Sequence, residues 1–254
     1  MNNNLCQVFF VGAGPGDPEL ITVKGQKCIQ QADLVLYAGS LVPRELINYA
    51  RKDAKVLDSS GMNLEETHLA IVKTVTDGGV AVRVHTGDPS LYGAIKEQMF
   101  LLDRDGISYQ IIPGVTVAFA AAAAAKLSFT LPGKNQSLVF TRLEGRTPVP
   151  EKENIRDFAR HQTSMAIYLS TANPQGVVNE LIAGGYPEKT PAVIAYRVGW
   201  PDELIIRTDL GSIPKALQKA DIHKQAVFLI LPDQDDDPIF SKLYNKNFTH
   251  GYRK

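Results

Sequence analysis

The sequence has little cysteine, no excess charge of either sign and no long apolar run. Its 254 residues include only Cys6 and Cys28, too few for a disulfide framework or a cysteine-based zinc cluster. Lys plus Arg number 27, as do Asp plus Glu, so no global basic field attracts nucleic acid or anionic lipid. Neither a membrane-spanning run nor a secretory signal pattern occurs. These absences predict a cytoplasmic protein with a small-molecule partner, and no nucleic acid or membrane partner.

Patterns typical of metal sites and acyl transfer are also missing. The histidines form no close pair and no His-Glu-x-x-His pattern, so no metal site is predicted. Ser40, in "YAGSLV", lacks the second glycine of a Gly-x-Ser-x-Gly nucleophile turn. The sequence therefore offers no nucleophile for acyl transfer.

The first half of the chain alternates short apolar runs with amphipathic stretches. Runs such as "QVFFVGAG" and "VAVRVHTGD" are mostly apolar without a polar alternation, which is typical of parallel strands covered on both faces. Helices are predicted over residues 21–31, 43–50, 64–77 and 94–105, and the alanine-rich stretch 118–127 also favours a helix.

A change in pattern near Pro132 and Gly133 predicts a domain boundary. Further apolar runs follow, and "AVIAYRV" and "ELIIRT" flank the turn-like "GWPD", which predicts an antiparallel hairpin. Helices are expected near 151–160, 173–183 and 212–218. We therefore expect two α/β domains: 1–133 with a mostly parallel sheet, and 134–232 with a mixed sheet. The active-site cleft is expected between them, and 233–254 is expected to be a peripheral or disordered tail.

Two loops carry the same Gly-Asp-Pro triplet, one within "GAGPGDP" at 12–18 and the other at 87–89. Asp17 stands where a dinucleotide-binding loop has its third glycine, and no Gly-Lys-Ser/Thr ending marks a phosphate loop. Backbone amides with a carboxylate suit a ligand carrying hydroxyls, an amine or a positive centre better than a polyphosphate. A dinucleotide-dependent oxidoreductase is a minor alternative.

Several motifs together resemble the tetrapyrrole (corrin/porphyrin) methylase family. They include "VGAGPGDPELITVKG", "RVHTGDPSLYGAIKEQM", "IIPGVTVAFAAAAAA" and "YRVGWPDELIIRTDL", and the resemblance extends through about residue 231. "LYAGSLV", "HTGDPSLYGAI" and "GRTPVPE" are most similar to the family members that methylate C11 of precorrin-4 in cobalamin biosynthesis. "TRLEGRTPVPE" favours a cobalt-containing substrate. The resemblance implies a homodimer that binds S-adenosylmethionine between its two α/β domains, with the tetrapyrrole beside it.

The resemblance also implies the site residues. Those expected to bind the cofactor are Pro15, Gly87, Asp88, Pro89, Leu91, Tyr92, Thr116, Val117, Leu169, Tyr196, Arg197 and Thr208. Leu169 stands where many relatives have methionine, a change that conserves bulk. Asp88 is the first candidate for a catalytic base, with His85 and Tyr92 as the others.

Cationic side chains should hold the carboxylates of the tetrapyrrole. Arg44, Arg142 and Arg146 are the candidates, because arginine binds a carboxylate bidentately. Two alternatives stay open: a methylase of the same family acting on uroporphyrinogen III or another precorrin position, and a noncatalytic nucleotide- or tetrapyrrole-binding module.

Overall fold

The computed structural model describes residues 6–234, 240–249 and 251–252. The chain divides into two compact units. The first runs through Ala120 and includes Val198–Pro201, and the second comprises Ala121–Arg197 with the chain from Asp202 onward. The predicted domain boundaries at 133 and 232 stay predictions, and the predicted tail, 233–254, lies partly outside the described residues.

The first unit contains a five-stranded parallel sheet of order β3-β2-β4-β1-β5. Its strands are β1 (Val8–Gly12), β2 (Leu34–Tyr37), β3 (Lys55–Asp58), β4 (Ala81–His85) and β5 (Tyr109–Ile112). The central strand β4 is buried along its whole length, as its apolar run predicts. The mostly parallel sheet expected for this part of the chain is confirmed.

Helices cover both faces of this sheet. They are α1 (Val23–Gln31), α2 (Arg44–Ile47), α3 (Leu64–Thr76) and α4 (Ile95–Arg104). A further helix, α5 (Val117–Ala124), follows β5 and crosses the division between the units. Ile29 of α1 packs with Val11 and Val84 on one face of the sheet. Leu102 of α4 packs with Phe10 on the other face, because side chains alternate along β1.

The second unit contains a mixed sheet of order β6-β7-β10-β8-β9. Its strands are β6 (Leu138–Arg142), β7 (Ser164–Tyr168), β8 (Pro191–Tyr196), β9 (Leu204–Asp209) and β10 (Ala226–Ile230). Strands β6 and β7 are parallel, and β10 is antiparallel to both β7 and β8. The predicted hairpin is confirmed as β8 and β9, which pair from Tyr196–Leu204 to Pro191–Asp209.

Three helices of the second unit pack against one face of this sheet: α6 (Ile155–Ala159), α7 (Pro174–Ala183) and α8 (Ile213–Lys219). The helix expected over 151–160 is interrupted. A short 3-10 turn, Glu151–Glu153, ends at Asn154, whose side chain accepts a hydrogen bond from the Asp157 N–H and so begins α6 anew. The helix expected over 43–50 is also shorter, since after Ile47 the N–H groups of Tyr49 and Ala50 donate to the carbonyls three residues earlier.

Candidate active site

The first loop follows β1 and the second follows β4, and these two strands are neighbours in the parallel sheet. The chain leaves β1 through α1, which packs on one face, and leaves β4 through α4, which packs on the other. Strands whose connections depart to opposite faces open a crevice at their carboxyl ends, where α/β proteins bind ligands. The two Gly-Asp-Pro loops therefore meet at a topological switch point.

The loops are hydrogen-bonded to each other through their glycines. The Gly14 N–H donates to the Gly87 carbonyl over 3.2 Å, and the Gly87 N–H donates to the Gly14 carbonyl over 2.8 Å. Both residues have left-handed backbones, with φ of 78° and 64°, which glycine adopts without strain. The two similar loops thus form one short antiparallel bridge over the crevice.

A third loop, after β5, completes this cluster of backbones. A Cβ atom on Gly114 would lie 2.1 Å from the Gly87 carbonyl oxygen, so the approach requires glycine. Asp88 fastens the two loops: its Oδ2 accepts a hydrogen bond from the Gly114 N–H over 2.9 Å, and its Oδ1 accepts from the Ser90 N–H over 2.8 Å. Asp88 therefore orders the loops after β4 and β5.

The other predicted cofactor residues of the first unit lie on these three loops, except Val117, which begins α5. Pro15, Pro89 and Thr116 are buried, and Leu91 and Val117 are half-buried. Tyr92 is 44% exposed and has a left-handed backbone with φ of 57°. Such a conformation is unfavourable for a side chain with a Cβ and is found often at ligand sites.

In the second unit, the carboxyl ends of β6, β7 and β8 share one edge of the sheet, because β10 runs antiparallel between β7 and β8. Leu169 follows β7 there, 71% exposed and left-handed at φ 52°. Tyr196 ends β8, and the next residue, Arg197, is left-handed at φ 44°. These three predicted cofactor residues are therefore at one sheet edge, two of them with unfavourable backbones.

Thr208 lies elsewhere in the same sheet. Strand β9 is antiparallel to β8, and Thr208 pairs with Ala192 near the start of β8, whereas Tyr196 pairs with Leu204. The sheet therefore does not bring Thr208 together with Tyr196 and Arg197. Its role in cofactor binding stays a prediction.

The three candidate arginines for substrate carboxylates differ in their surroundings. Arg44, at the start of α2, and Arg146 are exposed. Arg142, at the end of β6, donates to the Thr147 carbonyl over 3.1 Å and to the Pro148 carbonyl over 2.7 Å, so it orders its own loop. A cavity of about 390 Å³ beside Arg142 is also lined by Glu144, Glu151 and Glu180, which disfavour an anionic ligand. All three roles stay predictions.

Comparison with known proteins places these features in a family. Residues 7–214 match the model of the tetrapyrrole (corrin/porphyrin) methylases. The chain belongs to this family. It is 51% identical to a cobalt-precorrin-4 C(11)-methyltransferase from Methanocaldococcus jannaschii, over 100% of this chain and 98% of that protein.

Solved structures of methylases share the fold. The X-ray structure of a cobalt precorrin-4 methyltransferase, a cobalamin biosynthetic enzyme, is 49% identical with a TM-score of 0.86, and the match covers 88% of this methylase and 94% of that chain. A uroporphyrin-III C-methyl transferase from Thermus thermophilus, complexed with S-adenyl homocysteine, has 24% identity, a TM-score of 0.73, and coverage of 89% and 92%. In the part of this chain that the structure describes, no helix has the length and apolar character of a membrane span.

The methylase also contains a buried polar pair that the sequence analysis did not single out as a pair. Arg83 and His85 point to the same face of β4, and they are 9% and 4% exposed. Arg83 Nη1 donates to Ser59 Oγ over 2.6 Å, while Arg83 Nε and His85 Nε2 have no hydrogen-bond partner among the described residues. The arginine inside the mostly apolar run "VAVRVH" could have indicated this pair, since a charged side chain is rarely buried unless it is paired.

Burial changes the acid–base properties of both side chains. It lowers the pKa of Arg83 to about 10. Burial, with the Arg83 charge nearby, lowers the pKa of His85 to about 3. A base with so low a pKa has little driving force to accept a proton at neutral pH, so His85 is disfavoured as the catalytic base.

The buried His85 predicts a pH dependence of stability. The pKa is about 3 in the folded protein, against 6.5 for an ordinary histidine, so between those values the unfolded chain binds the proton that the folded chain excludes. His85 should therefore lower the free energy of unfolding by about 2 kcal/mol between pH 7 and pH 5. Urea unfolding at both pH values measures this loss. His85→Gln should remove it, whereas the matched change at the exposed His161, His161→Gln, should retain it; equal losses in both variants would refute the assignment.

Proposed function

We propose that this protein transfers a methyl group from S-adenosylmethionine to C11 of cobalt-precorrin-4 in cobalamin biosynthesis. The observation that carries the proposal is the bridge of two Gly-Asp-Pro loops at the switch point of the first sheet, with Asp88 fastening the second of these loops to the loop after β5. Membership of a methylase family fixes the class of reaction. Relatives with about half of their residues identical carry the cobalt-precorrin-4 name, which supports the substrate.

The loop cluster suits S-adenosylmethionine in its shape and its charge. Gly114 lets the loop after β5 pack directly against the backbones of Gly12 and Gly87, so the cluster offers backbone groups to a ligand. The Asp88 carboxylate supplies negative charge nearby, which favours a ligand that carries a sulfonium and an ammonium over a polyphosphate. When bound, S-adenosylmethionine supplies a methyl group on a positive sulfur that becomes a neutral thioether on leaving.

The chain's own contribution is mainly positional. Holding the two reactants in line is worth up to ~7–11 kcal/mol of the barrier, and a neutral leaving group needs no acid. Both Asp88 oxygens accept backbone N–H groups, which favours a positioning role. The roles of Asp88 and Tyr92 as candidates for the catalytic base stay predictions.

Further parts of the proposal rest on the family resemblance. We expect Leu169, Tyr196, Arg197 and Thr208 of the second unit to contribute to cofactor binding. We also expect a homodimer, a cytoplasmic location and no nucleic-acid partner. Cobalt would arrive within the tetrapyrrole as part of the substrate.

The experiment tests three substrates with the purified protein and S-adenosylmethionine. Cobalt-precorrin-4, metal-free precorrin-4 and uroporphyrinogen III are incubated separately, and the products are analysed by mass spectrometry. We expect cobalt-precorrin-4 to gain a single methyl group fastest. Preferred methylation of uroporphyrinogen III would favour the alternative of a sibling methylase, and binding without any methylation would favour a noncatalytic module.

A further inference from the structure

The first loop of the crevice is also contacted by residues Val198–Pro201, the tip of the β8–β9 hairpin, which belong to the first unit. Trp200, the only tryptophan of the chain, lies in this tip. Its Nε1–H donates to the Pro15 carbonyl oxygen over 3.2 Å. The preceding carbonyl, that of Gly14, accepts the N–H of Gly87. Two successive carbonyls of the first loop are therefore fixed, one by the second loop and one by Trp200.

The fit between loop and tip is close. A Cβ atom on Gly16 would lie 2.3 Å from Trp200 Cδ1 and 2.6 Å from the Val198 carbonyl oxygen. Since the backbone of Gly16 is not left-handed, space alone requires glycine here. The requirement for glycine at position 16 is therefore explained by the packing of Trp200, and it does not indicate a pyrophosphate site.

The tip is itself held in a fixed shape at its base. Arg197 and Asp202 flank it, and Arg197 Nε lies 2.7 Å from Asp202 Oδ1. Arg197 Nη1 also donates to Gln225 Oε1 over 3.1 Å, and the Arg197 N–H donates to the Gln225 carbonyl over 3.1 Å. These contacts compensate the left-handed backbone of Arg197. The arginine that the resemblance assigns to the cofactor therefore braces the tip that carries Trp200.

From these contacts we infer that Trp200 is a positioning residue of the methyl-donor site, which holds the Pro15 carbonyl and thereby keeps the first loop in its binding conformation. The inference rests on the proposed function. A residue that acts in this way changes the fraction of protein in the binding-competent conformation, and the apparent dissociation constant rises as that fraction falls. Because Trp200 acts through the Pro15 carbonyl, its loss should act on KM for S-adenosylmethionine more than on kcat.

The test compares Trp200→Phe with the unmodified protein by isothermal titration with S-adenosylhomocysteine. Phenylalanine retains an aromatic ring and loses the N–H donor, so we expect the Kd to rise about fivefold to tenfold. KM for S-adenosylmethionine should rise in parallel, with kcat within about twofold. Gly16→Ala is a second variant, which displaces the loop from an intact Trp200 and should weaken binding at least as much.

Two controls separate positioning from general loss of stability. Val193→Ala, in the buried part of β8, should lower Tm and leave the Kd unchanged. In the unmodified protein, the emission of the single tryptophan should shift on titration with S-adenosylhomocysteine. The Kd from this shift should equal the Kd from calorimetry. Unchanged affinity in Trp200→Phe and Gly16→Ala would overturn the role of Trp200 and leave the methyl-donor site intact. No binding by the folded, unmodified protein would instead overturn the proposed function, and the inference with it.

Discussion

Replacing Asp88 with asparagine should weaken S-adenosylhomocysteine binding by about a hundredfold. The carboxylate accepts one N–H on each oxygen, from Ser90 and from Gly114. Asparagine has a single acceptor oxygen, so its amide group would meet one of those N–H donors with another donor. Losing a hydrogen bond to a charged group and leaving a donor unpaired costs about 3 kcal/mol, and the binding-competent arrangement of the loops becomes correspondingly rarer.

Isothermal titration measures this effect, and the first loop offers a matched control. Asp17 occupies the same place in its own Gly-Asp-Pro triplet, but its carboxylate accepts a hydrogen bond from the Glu19 N–H, within the same turn. Asp17→Asn should therefore change the Kd by less than about threefold, since only a local cap is altered. If Asp88→Asn and Asp17→Asn bound S-adenosylhomocysteine equally tightly, the hydrogen bonds of Asp88 would not be needed for ligand binding.

Replacing Gly114 with alanine should both destabilise the protein and abolish ligand binding. The added methyl group would lie 2.1 Å from the Gly87 carbonyl oxygen and 2.7 Å from the Gly12 Cα, and these are backbone atoms that no rotamer change can move away. Displacing packed backbone costs about 3 kcal/mol, which lowers Tm by roughly 6–12 °C in a chain of this size.

Differential scanning calorimetry with and without S-adenosylhomocysteine tests this prediction. The ligand should raise Tm of the unmodified protein and leave that of Gly114→Ala unchanged, because only binding to the folded state stabilises it. Gly61→Ala is the matched control, since a Cβ atom there has no neighbour within 4 Å. A ligand-induced rise in Tm for Gly114→Ala equal to that of the control would show that the crevice tolerates a side chain there.

The strands were predictable because burial on both faces leaves a strong signal in the sequence. β4 and β10 are buried at every position, β10 as an entirely apolar run and β4 as an apolar run interrupted by Arg83 and His85. The turn residues of "GWPD" mark the β8–β9 hairpin. Helix ends were less predictable. Asn154 interrupts the helical pattern by capping a new helix, a choice that depends on the local hydrogen bond of its side chain.

The site residues were also predictable only in part. The Gly-Asp-Pro repeat identified both crevice loops, because glycine and aspartate in tight turns are informative by themselves. What the repeat could not reveal is the partner of each group. Asp17 and Asp88 have the same neighbours in sequence, but only Asp88 is bonded to the Gly114 N–H of a distant loop. Likewise, Trp200 lies 185 residues from Pro15, and no local pattern predicts their hydrogen bond.

The position of the transferred methyl group is the most direct test of methylation at C11. Cobalt-precorrin-4 is incubated with the protein and S-adenosylmethionine labelled with ¹³C in its methyl group, and the product is examined by ¹³C NMR. We expect a single new methyl signal, assigned to a carbon bonded to C11. This signal should be lost with Asp88→Asn at a cofactor concentration that saturates only the unmodified protein. A label at another ring carbon, or no transfer by protein that binds S-adenosylhomocysteine, would contradict the account.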